Sequence, residues 1–158
     1  MKLIASTLFA LAVIFAPQSG AAPARTLFSA IPSVASGHGA VGAYPITLAD
    51  GSLASPGTVT ETAGAADNTI PVAVSPDGAY LYAVNTGSDT VAVFTVNADG
   101  SLTLKSTSPQ IIPMASAIGV AVAPDGKHVY VVGNSGQHNP GSTTQTEVAA
   151  LKVSAVDG

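Results

Sequence analysis

The sequence contains no cysteine and no tryptophan, and only 9% of its 158 residues are charged. Without cysteine, disulfide scaffolds, zinc–cysteine sites and thiol catalysis are excluded. Only two glutamates are present, and Arg25 is the single arginine. Coiled coils and helix bundles need Glu, Lys, Arg and Leu at helical spacing, and a nucleic-acid binder needs a basic face. The composition therefore argues against all three classes.

The N-terminus has the pattern of an export signal. Lys2 precedes an apolar run at residues 3–16, and the small-residue stretch 21–24 follows. A positive start, an apolar core and an A-x-A-like region are typical of a secretory signal peptide. The run is shorter than the roughly 20 residues that span a bilayer. We therefore predict that residues 1–24 are a signal peptide cleaved within 21–24, a buried N-terminal helix being the alternative.

Removal of this segment would leave four basic and nine acidic residues, a net charge of −5. An acidic, sparsely charged surface attracts neither nucleic acid nor anionic membranes. We expect a periplasmic or extracellular protein with no nucleic-acid partner and no membrane span. A small-molecule ligand and a protein partner both remain open.

Two turn sequences recur along the chain. S-P-D-G at residues 75–78 returns as A-P-D-G at 123–126, 48 positions later. A-D-G-S-L at residues 49–53 returns at 98–102, 49 positions later. A repeat of this length that contains several short strands is typical of β-propeller blades.

Each repeat is predicted to contain four strands, a to d. In the second repeat these are residues 71–75, 79–85, 90–97 and 101–108. A Pro-Asp-Gly turn joins a to b, and an Asp-Gly hairpin joins c to d. Strands such as 91–94 are apolar on both faces, as expected of a sheet packed between two neighbouring sheets. We predict an all-β propeller of four-stranded antiparallel blades.

The second repeat also carries a family resemblance. V-S-P-D-G-x-Y-L-Y-A-V-N, S-D-T-V-A-V-F and A-D-G-S-L-T resemble the repeat of the lactonase-like seven-bladed β-propellers. This family includes 6-phosphogluconolactonase-like proteins and the YVTN-repeat surface-layer propellers. The resemblance extends over nearly all of residues 41–158 and implies a lactonase-type fold. Enzymes of the family use histidine, arginine and glutamate around the central channel, and none of those motifs can be matched here residue by residue.

The repeats do not complete a ring. Blade 1 is predicted at residues 25–61, blade 2 at 70–108 and an incomplete blade 3 at 118–158. Propellers close with roughly four to eight blades. We expect this chain to be the N-terminal part of a longer seven-bladed protein, with the remaining blades in the same chain. The alternative is a ring built from further copies.

Because consecutive strands of a blade are antiparallel, the b–c loops and the d–a links are expected on one face, where variation among loops can build a site. The candidate catalytic residues on this face are His38 and His138, and the candidate ligand-binding residues are Asp67, Asn68 and Asn134. Each has a structural alternative, because loop histidines are common and Asp and Asn often bond their own turn backbone.

Other catalytic motifs are missing from the sequence. It has no G-x-S-x-G elbow, no P-loop and no G-x-G-x-x-G segment that precedes a helix. No histidine pair has the spacing of a helical metal site. We predict neither a metal nor a cofactor.

Three functions fit these features. The first is an exported enzyme that hydrolyses a lactone or sugar-acid ester, with a loop histidine or carboxylate as the general base. The alternative is a non-catalytic YVTN-type propeller that acts as an extracytoplasmic binding or surface-interaction scaffold. A third reading is the propeller subunit of a periplasmic redox enzyme. Because a fold does not determine a function, all three stay open at this point.

Overall fold

The structure is a computed structural model of the 158-residue chain. It describes residues 11–14, 25–31, 34, 36–47, 49–53, 57–62, 69–108, 116–134 and 146–153. The regular elements of these residues are all strands: β1 (Leu11–Ile14), β2 (Arg25–Ile31), β3 (Ala40–Ile46), β4 (Thr58–Glu61), β5 (Thr69–Val74), β6 (Tyr80–Asn85), β7 (Thr90–Val96), β8 (Leu102–Thr107), β9 (Ser116–Val122), β10 (His128–Asn134) and β11 (Thr146–Lys152). Across these ranges, no helix is long and apolar enough to cross a membrane.

The strands form three antiparallel sheets. Blade 1 has the order β1-β2-β3-β4, blade 2 has β5-β6-β7-β8, and blade 3 has β9-β10-β11. Neighbouring strands in space are consecutive in the chain, which is the up-and-down arrangement of a propeller blade. The predicted fold class, an all-β partial propeller of antiparallel blades, is confirmed.

The innermost strand of blade 1 comes from the segment predicted to be a signal peptide. β1 pairs with β2 in the register Leu11↔Ser29 to Ile14↔Thr26. It therefore occupies the place that β5 takes beside β6. An apolar segment can serve either as a signal core or as a buried strand, because both require hydrophobic side chains. Cleavage of residues 1–24 stays a prediction.

The repeated Asp-Gly turns are held by the same hydrogen bonds in blades 2 and 3. The amide of Ala79 donates to Asp77 Oδ1 at 3.0 Å, and the amide of Lys127 donates to Asp125 Oδ1 at 2.9 Å. The glycine after each Asp has a positive φ, 73° and 70°. An Asx turn followed by glycine is the local reason that strands a and b reverse at this point.

Blades 1 and 2 bury one apolar cluster between them. Blade 1 contributes Phe28, Val41 and Ala43, and blade 2 contributes Leu81 and Phe94 together with smaller neighbours. These side chains belong to strands b and c of their blades. Because Leu81 and Phe94 are directly paired across β6 and β7, they project from the same face of blade 2.

The opposite face of blade 2 packs on blade 3. Tyr82, Val84 and Val91 of blade 2 are buried against Val129 and Val131 of blade 3. Alternate residues of β6 thus enter different interfaces, as the two-residue period of a strand requires. Burial on both faces explains why these strands are continuously apolar in the sequence.

Strand d of blade 1 is described in two parts. β4 covers Thr58–Glu61, and Leu53 makes an isolated bridge with Ile46. Residues 54–56 between them lie outside the described residues.

Phe94 offers a direct test of the interface between blades 1 and 2. Its side chain is 0% exposed, whereas Val59 on β4 is 51% exposed. Phe94→Ala should lower the free energy of unfolding by about 3–5 kcal/mol, because it removes buried surface and leaves a cavity. Val59→Ala should change it by less than about 0.5 kcal/mol. Urea denaturation followed by circular dichroism measures both, and equal effects would contradict the packing described here.

Two turn glycines form a matched pair. Gly51 and Gly100 both have positive φ, 74° and 82°, but a methyl group at Gly100 would overlap Thr26 Oγ1, whereas one at Gly51 meets no atom within 4 Å. Alanine at either position should cost about 1 kcal/mol of backbone strain. Gly100→Ala should cost more because it also disturbs the contact with blade 1. Thermal unfolding of the two variants compares their losses of stability. A larger loss in Gly51→Ala than in Gly100→Ala would count against the contact between Gly100 and Thr26.

Candidate functional site

The strand ends divide the molecule into two faces. The a–b and c–d turns lie on one, and the strand ends that lead into the b–c loops and d–a links lie on the other, here called the loop face. On the loop face, the end of β4 lies beside the start of β3, with Ala40 paired to Glu61. His38 precedes β3 by two residues, so the fold brings a histidine and a glutamate from distant parts of the sequence together.

His38 and Glu61 form a hydrogen-bonded pair. His38 Nδ1 lies 3.1 Å from Glu61 Oε2. The second carboxylate oxygen, Oε1, accepts a hydrogen bond from Ser36 Oγ at 2.9 Å. The histidine and glutamate side chains are 39% and 47% exposed, so both remain open to solvent. We call these three residues the His38–Glu61–Ser36 cluster.

The surrounding backbone holds the cluster in place. The amide of Val34 donates to the carbonyl oxygen of His38 at 2.9 Å, which closes the loop that carries the histidine. The amide and the hydroxyl of Thr62 both donate to the carbonyl oxygen of Gly39, at 2.9 and 3.1 Å. Thr62 is fully buried. The residues next to His38 and to Glu61 are therefore tied to each other, which limits how far the two side chains can separate.

Hydrogen bonding favours the ionised form of Glu61. The pKa of this carboxyl lies below its usual value, mainly because of the hydrogen bond with His38 and next because of the one from Ser36. An ionised carboxylate can only accept hydrogen bonds, so Nδ1 of His38 must carry the hydrogen. In the neutral imidazole this leaves Nε2 as the acceptor.

A histidine held in this tautomer can act as a general base. Nε2 can take a proton from water, and the carboxylate at Nδ1 stabilises the imidazolium that results. The cluster contains no neighbouring nucleophile other than Ser36, whose hydroxyl already donates to Glu61. The arrangement is therefore suited to activating a water molecule.

Of the remaining predicted site residues, the structure describes only Asn134, and that residue is not brought to this cluster. Asp67, Asn68 and His138 lie outside the described residues. Asn134 ends β10 in blade 3, where its backbone pairs with Ser116 and Thr146. His38 is in blade 1, so the structure places these two candidates in different sheets.

Asn134 occupies a repeat position with a structural role in blade 2. It stands 48 positions after Thr86. The hydroxyl of Thr86 donates to the carbonyl oxygen of Ala117 at 3.1 Å and so links blade 2 to β9 of blade 3. A ligand-binding role for Asn134 stays a prediction.

Glu61 is the site residue that sequence reasoning missed. It is one of only two glutamates and stands at the loop-face end of strand d. That position could have indicated the contact with His38, because strand pairing within a blade brings the end of strand d beside the start of strand c. The separation of 23 positions between His38 and Glu61 hides the contact from any motif search.

The described residues contain no group of three or more His, Asp and Glu side chains that could hold a metal ion. In blade 2 three polar side chains at the loop face bond one another. Asn85 Nδ2 donates to Thr90 Oγ1 at 3.0 Å, and Ser88 and Thr90 hydroxyls are also 3.0 Å apart. Asn85 is fully buried, so these bonds serve to satisfy polar groups within the blade.

Residues 39–113 match the family model described as lactonase, seven-bladed beta-propeller. Together with the three sheets, this match confirms the resemblance predicted from the repeat. The chain has the lactonase-like propeller fold. No curated protein sequence matches it.

Solved structures share the same architecture as this lactonase-like propeller. A protein of Bacteroides uniformis provisionally classed as a 6-phosphogluconolactonase aligns with a TM-score of 0.65 and 17% identity, over 92% of this chain and 37% of its own. A Bacteroides fragilis protein of the same description aligns with a TM-score of 0.56 and 18% identity, over 68% and 31% of the two chains.

The periplasmic gluconolactonase of Pseudomonas aeruginosa aligns with a TM-score of 0.56 and 24% identity, over 70% of this chain and 34% of its own. This lactonase-like propeller chain thus spans about a third of the length of the structures it resembles.

The pKa of Glu61 tests the geometry of the cluster. His38→Ala removes the hydrogen bond that lowers the pKa of Glu61 most and should raise that pKa towards its usual value. Ser36→Ala should raise it by a smaller amount. A carboxyl whose pKa is lowered by folding adds stability at neutral pH that is lost as the pH falls through its folded pKa. NMR titration measures the pKa of the Glu61 carboxyl in the wild type and in both variants. An unchanged pKa in His38→Ala would refute the pairing of His38 with Glu61.

Proposed function

We propose that this chain contributes to an exported enzyme that hydrolyses a lactone, with His38 as the general base. The lactonase-like fold supports the reaction class, and the His38–Glu61 hydrogen bond is the observation that supports the residue assignment. The similarity to the periplasmic gluconolactonase of Pseudomonas aeruginosa supports both a sugar-acid lactone and a location outside the cytoplasm.

In the proposed reaction, Nε2 of His38 takes a proton from water while the water oxygen attacks the lactone carbonyl carbon. The tetrahedral intermediate collapses with cleavage of the ring carbon–oxygen bond, and the histidine returns the proton to the departing ring oxygen. The product is an open-chain hydroxy acid, and the base is regenerated. Glu61 keeps Nδ1 protonated and stabilises the transient imidazolium.

The charge distribution favours an uncharged lactone over a phosphorylated one. A phosphate group is commonly bound by arginine, and Arg25 opens β2 at the end opposite the loop face. Ile31 stands six positions after Arg25, about 20 Å along the strand. Ile31 is paired with Ala40, close to His38. The arginine is thus poorly placed to assist at the cluster.

The location of the cluster favours a second candidate function, a binding scaffold without catalysis. His38 and Glu61 lie at the ends of β3 and β4, whereas β1 is the strand at the opposite edge of the sheet. The enzymes that this chain resembles bind substrate around the central channel, which the first strands of the blades surround. An exposed polar cluster near the outer strands could instead contact a partner at the periphery.

Substitution of His38 and of His128 distinguishes lactone hydrolysis from a binding scaffold. Purified wild type, His38→Gln, Glu61→Gln and His128→Gln are compared for hydrolysis of gluconolactone in a pH-stat, with spontaneous hydrolysis subtracted. His38→Gln should lower kcat by about 10²-fold or more, because a general base is lost. Glu61→Gln should lower it less, and His128→Gln, on β10 beside Tyr130, should leave it unchanged.

Hydrolysis by the wild type that equals the buffer blank would support the scaffold. If all four proteins hydrolyse the lactone at the same rate, His38 is excluded as the general base, but lactone hydrolysis remains the proposed reaction. In that case His138→Gln tests the other predicted histidine. Circular dichroism of each variant confirms that the fold is retained.

A further inference from the structure

The hydroxyl of Ser36 contacts both of the other residues in the His38–Glu61–Ser36 cluster. It donates to Glu61 Oε1 at 2.9 Å and accepts a hydrogen bond from the backbone amide of His38 at 3.4 Å. A serine hydroxyl has one hydrogen to donate and two lone pairs with which to accept. The single hydrogen is therefore used on Glu61, and the amide of His38 occupies one of the acceptor positions.

These contacts form a closed ring of hydrogen bonds that starts and ends at His38. The His38 amide donates to Ser36, Ser36 donates to Glu61 Oε1, and the other carboxylate oxygen, Oε2, lies 3.1 Å from His38 Nδ1. The imidazole is thus tied to the backbone of its own residue through two other side chains. Rotation of the imidazole, or of the carboxylate about its last torsion, would break at least one of these bonds.

The backbone brings Ser36 into position for this ring. The amide of Gly37 donates to the carbonyl oxygen of Val34 at 2.8 Å, and Gly37 has a φ of 83°. Glycine adopts a positive φ at little cost, so the chain can turn sharply between Ser36 and His38. The serine hydroxyl then meets the amide two residues further on, as in an ST turn.

The exposure of the pair makes a second point of attachment necessary. The side chains of His38 and Glu61 are 39% and 47% exposed. A glutamate side chain loses rotational freedom when it is fixed, and an exposed pair held by one contact gains little in return. Ser36 holds the carboxylate by its other oxygen, which keeps Oε2 directed at the imidazole.

The ring leaves one nitrogen of His38 for proton transfer. Because the ionised carboxylate of Glu61 only accepts hydrogen bonds, Nδ1 keeps its hydrogen whether the imidazole is neutral or protonated. A proton can therefore be gained or lost at Nε2 without rearrangement of the ring. Polar groups that are already in place when charge develops stabilise it without a cost of reorganisation.

We propose that Ser36 is a positioning residue that acts through Glu61 to hold His38 in the tautomer with hydrogen on Nδ1. The consequence for catalysis rests on the proposed function, in which Nε2 is the general base. The position of the hydrogen does not rest on it and can be measured without a substrate. Ser36 takes no part in proton transfer, since its hydrogen stays on the bond to Glu61.

Nitrogen-15 NMR of the whole chain, recorded above the titration range of histidine, shows which imidazole nitrogen carries the hydrogen. The signals of His38 are identified by their loss in His38→Gln. The wild type should have hydrogen on Nδ1, and Ser36→Ala should give a mixture of both tautomers. Ser36→Thr keeps the hydroxyl at an exposed position and should restore the wild-type pattern. Ser88→Ala removes a loop-face hydroxyl that contacts Thr90 in blade 2, and as the matched control it should leave the pattern unchanged.

A double-mutant cycle tests whether Ser36 acts through Glu61. Ser36→Ala alone should lower kcat for gluconolactone by about threefold to tenfold, the effect of one lost hydrogen bond, with little change in KM. Glu61→Gln removes the carboxylate that Ser36 holds. Adding Ser36→Ala to Glu61→Gln should therefore lower kcat no further. Circular dichroism of each variant checks that the fold is retained.

The two measurements separate the role of Ser36 from the proposed function. Mixed tautomers in Ser36→Ala, combined with no hydrolysis by the wild type, would confirm the positioning of His38 and overturn lactone hydrolysis. Hydrolysis that depends on His38, combined with an unchanged tautomer in Ser36→Ala, would overturn the positioning role alone. That role would also be overturned if Ser36→Ala lowered kcat equally in the wild type and in Glu61→Gln, since Ser36 would then act independently of Glu61.

Discussion

Burial of both faces of each sheet between neighbouring sheets is the constraint on which the remaining structure depends. Phe94 faces blade 1 and Tyr82 faces blade 3, and neither could be buried by blade 2 alone. A four-stranded sheet is too thin to enclose its own core, so each blade is stable only when its faces are covered. The turns and hydrogen bonds keep the strands in register, but apolar contact between blades holds the sheets together.

This constraint also distinguishes polar groups that stabilise a blade from polar groups that are available for a function. At the loop face of blade 2, the buried amide of Asn85 donates a hydrogen bond to Thr90 within the same blade. In blade 1 the histidine and glutamate at the same face are bonded to each other and yet remain open to solvent. Because backbone hydrogen bonds tie their two segments together, the cluster can combine a defined tautomer with free access for water. A lactonase base and a partner-binding contact both need these two properties.

Much of the fold could be predicted from the repeat. The Pro-Asp-Gly turn at residues 76–78 has a geometry set by its own residues, because the Asp side chain and the positive φ of Gly78 act locally. The strands around it are apolar on both sides, which indicates sheets stacked face to face. The innermost strand of blade 1 was not predicted. Its residues also fit an export signal, and only pairing with β2 identifies them as a strand.

The sequence by itself determined the blade architecture and the candidate loop face, since turn chemistry and strand period are local properties that each repeat carries in full. It also singled out His38, although not its partner. Tertiary structure alone decided that Glu61 meets His38, because that contact depends on the pairing of β3 with β4 across 23 residues. It likewise decided that Tyr130 is exposed while its repeat equivalent Tyr82 is buried. Two residues of the same type in the same motif differ here because burial depends on which sheet lies opposite.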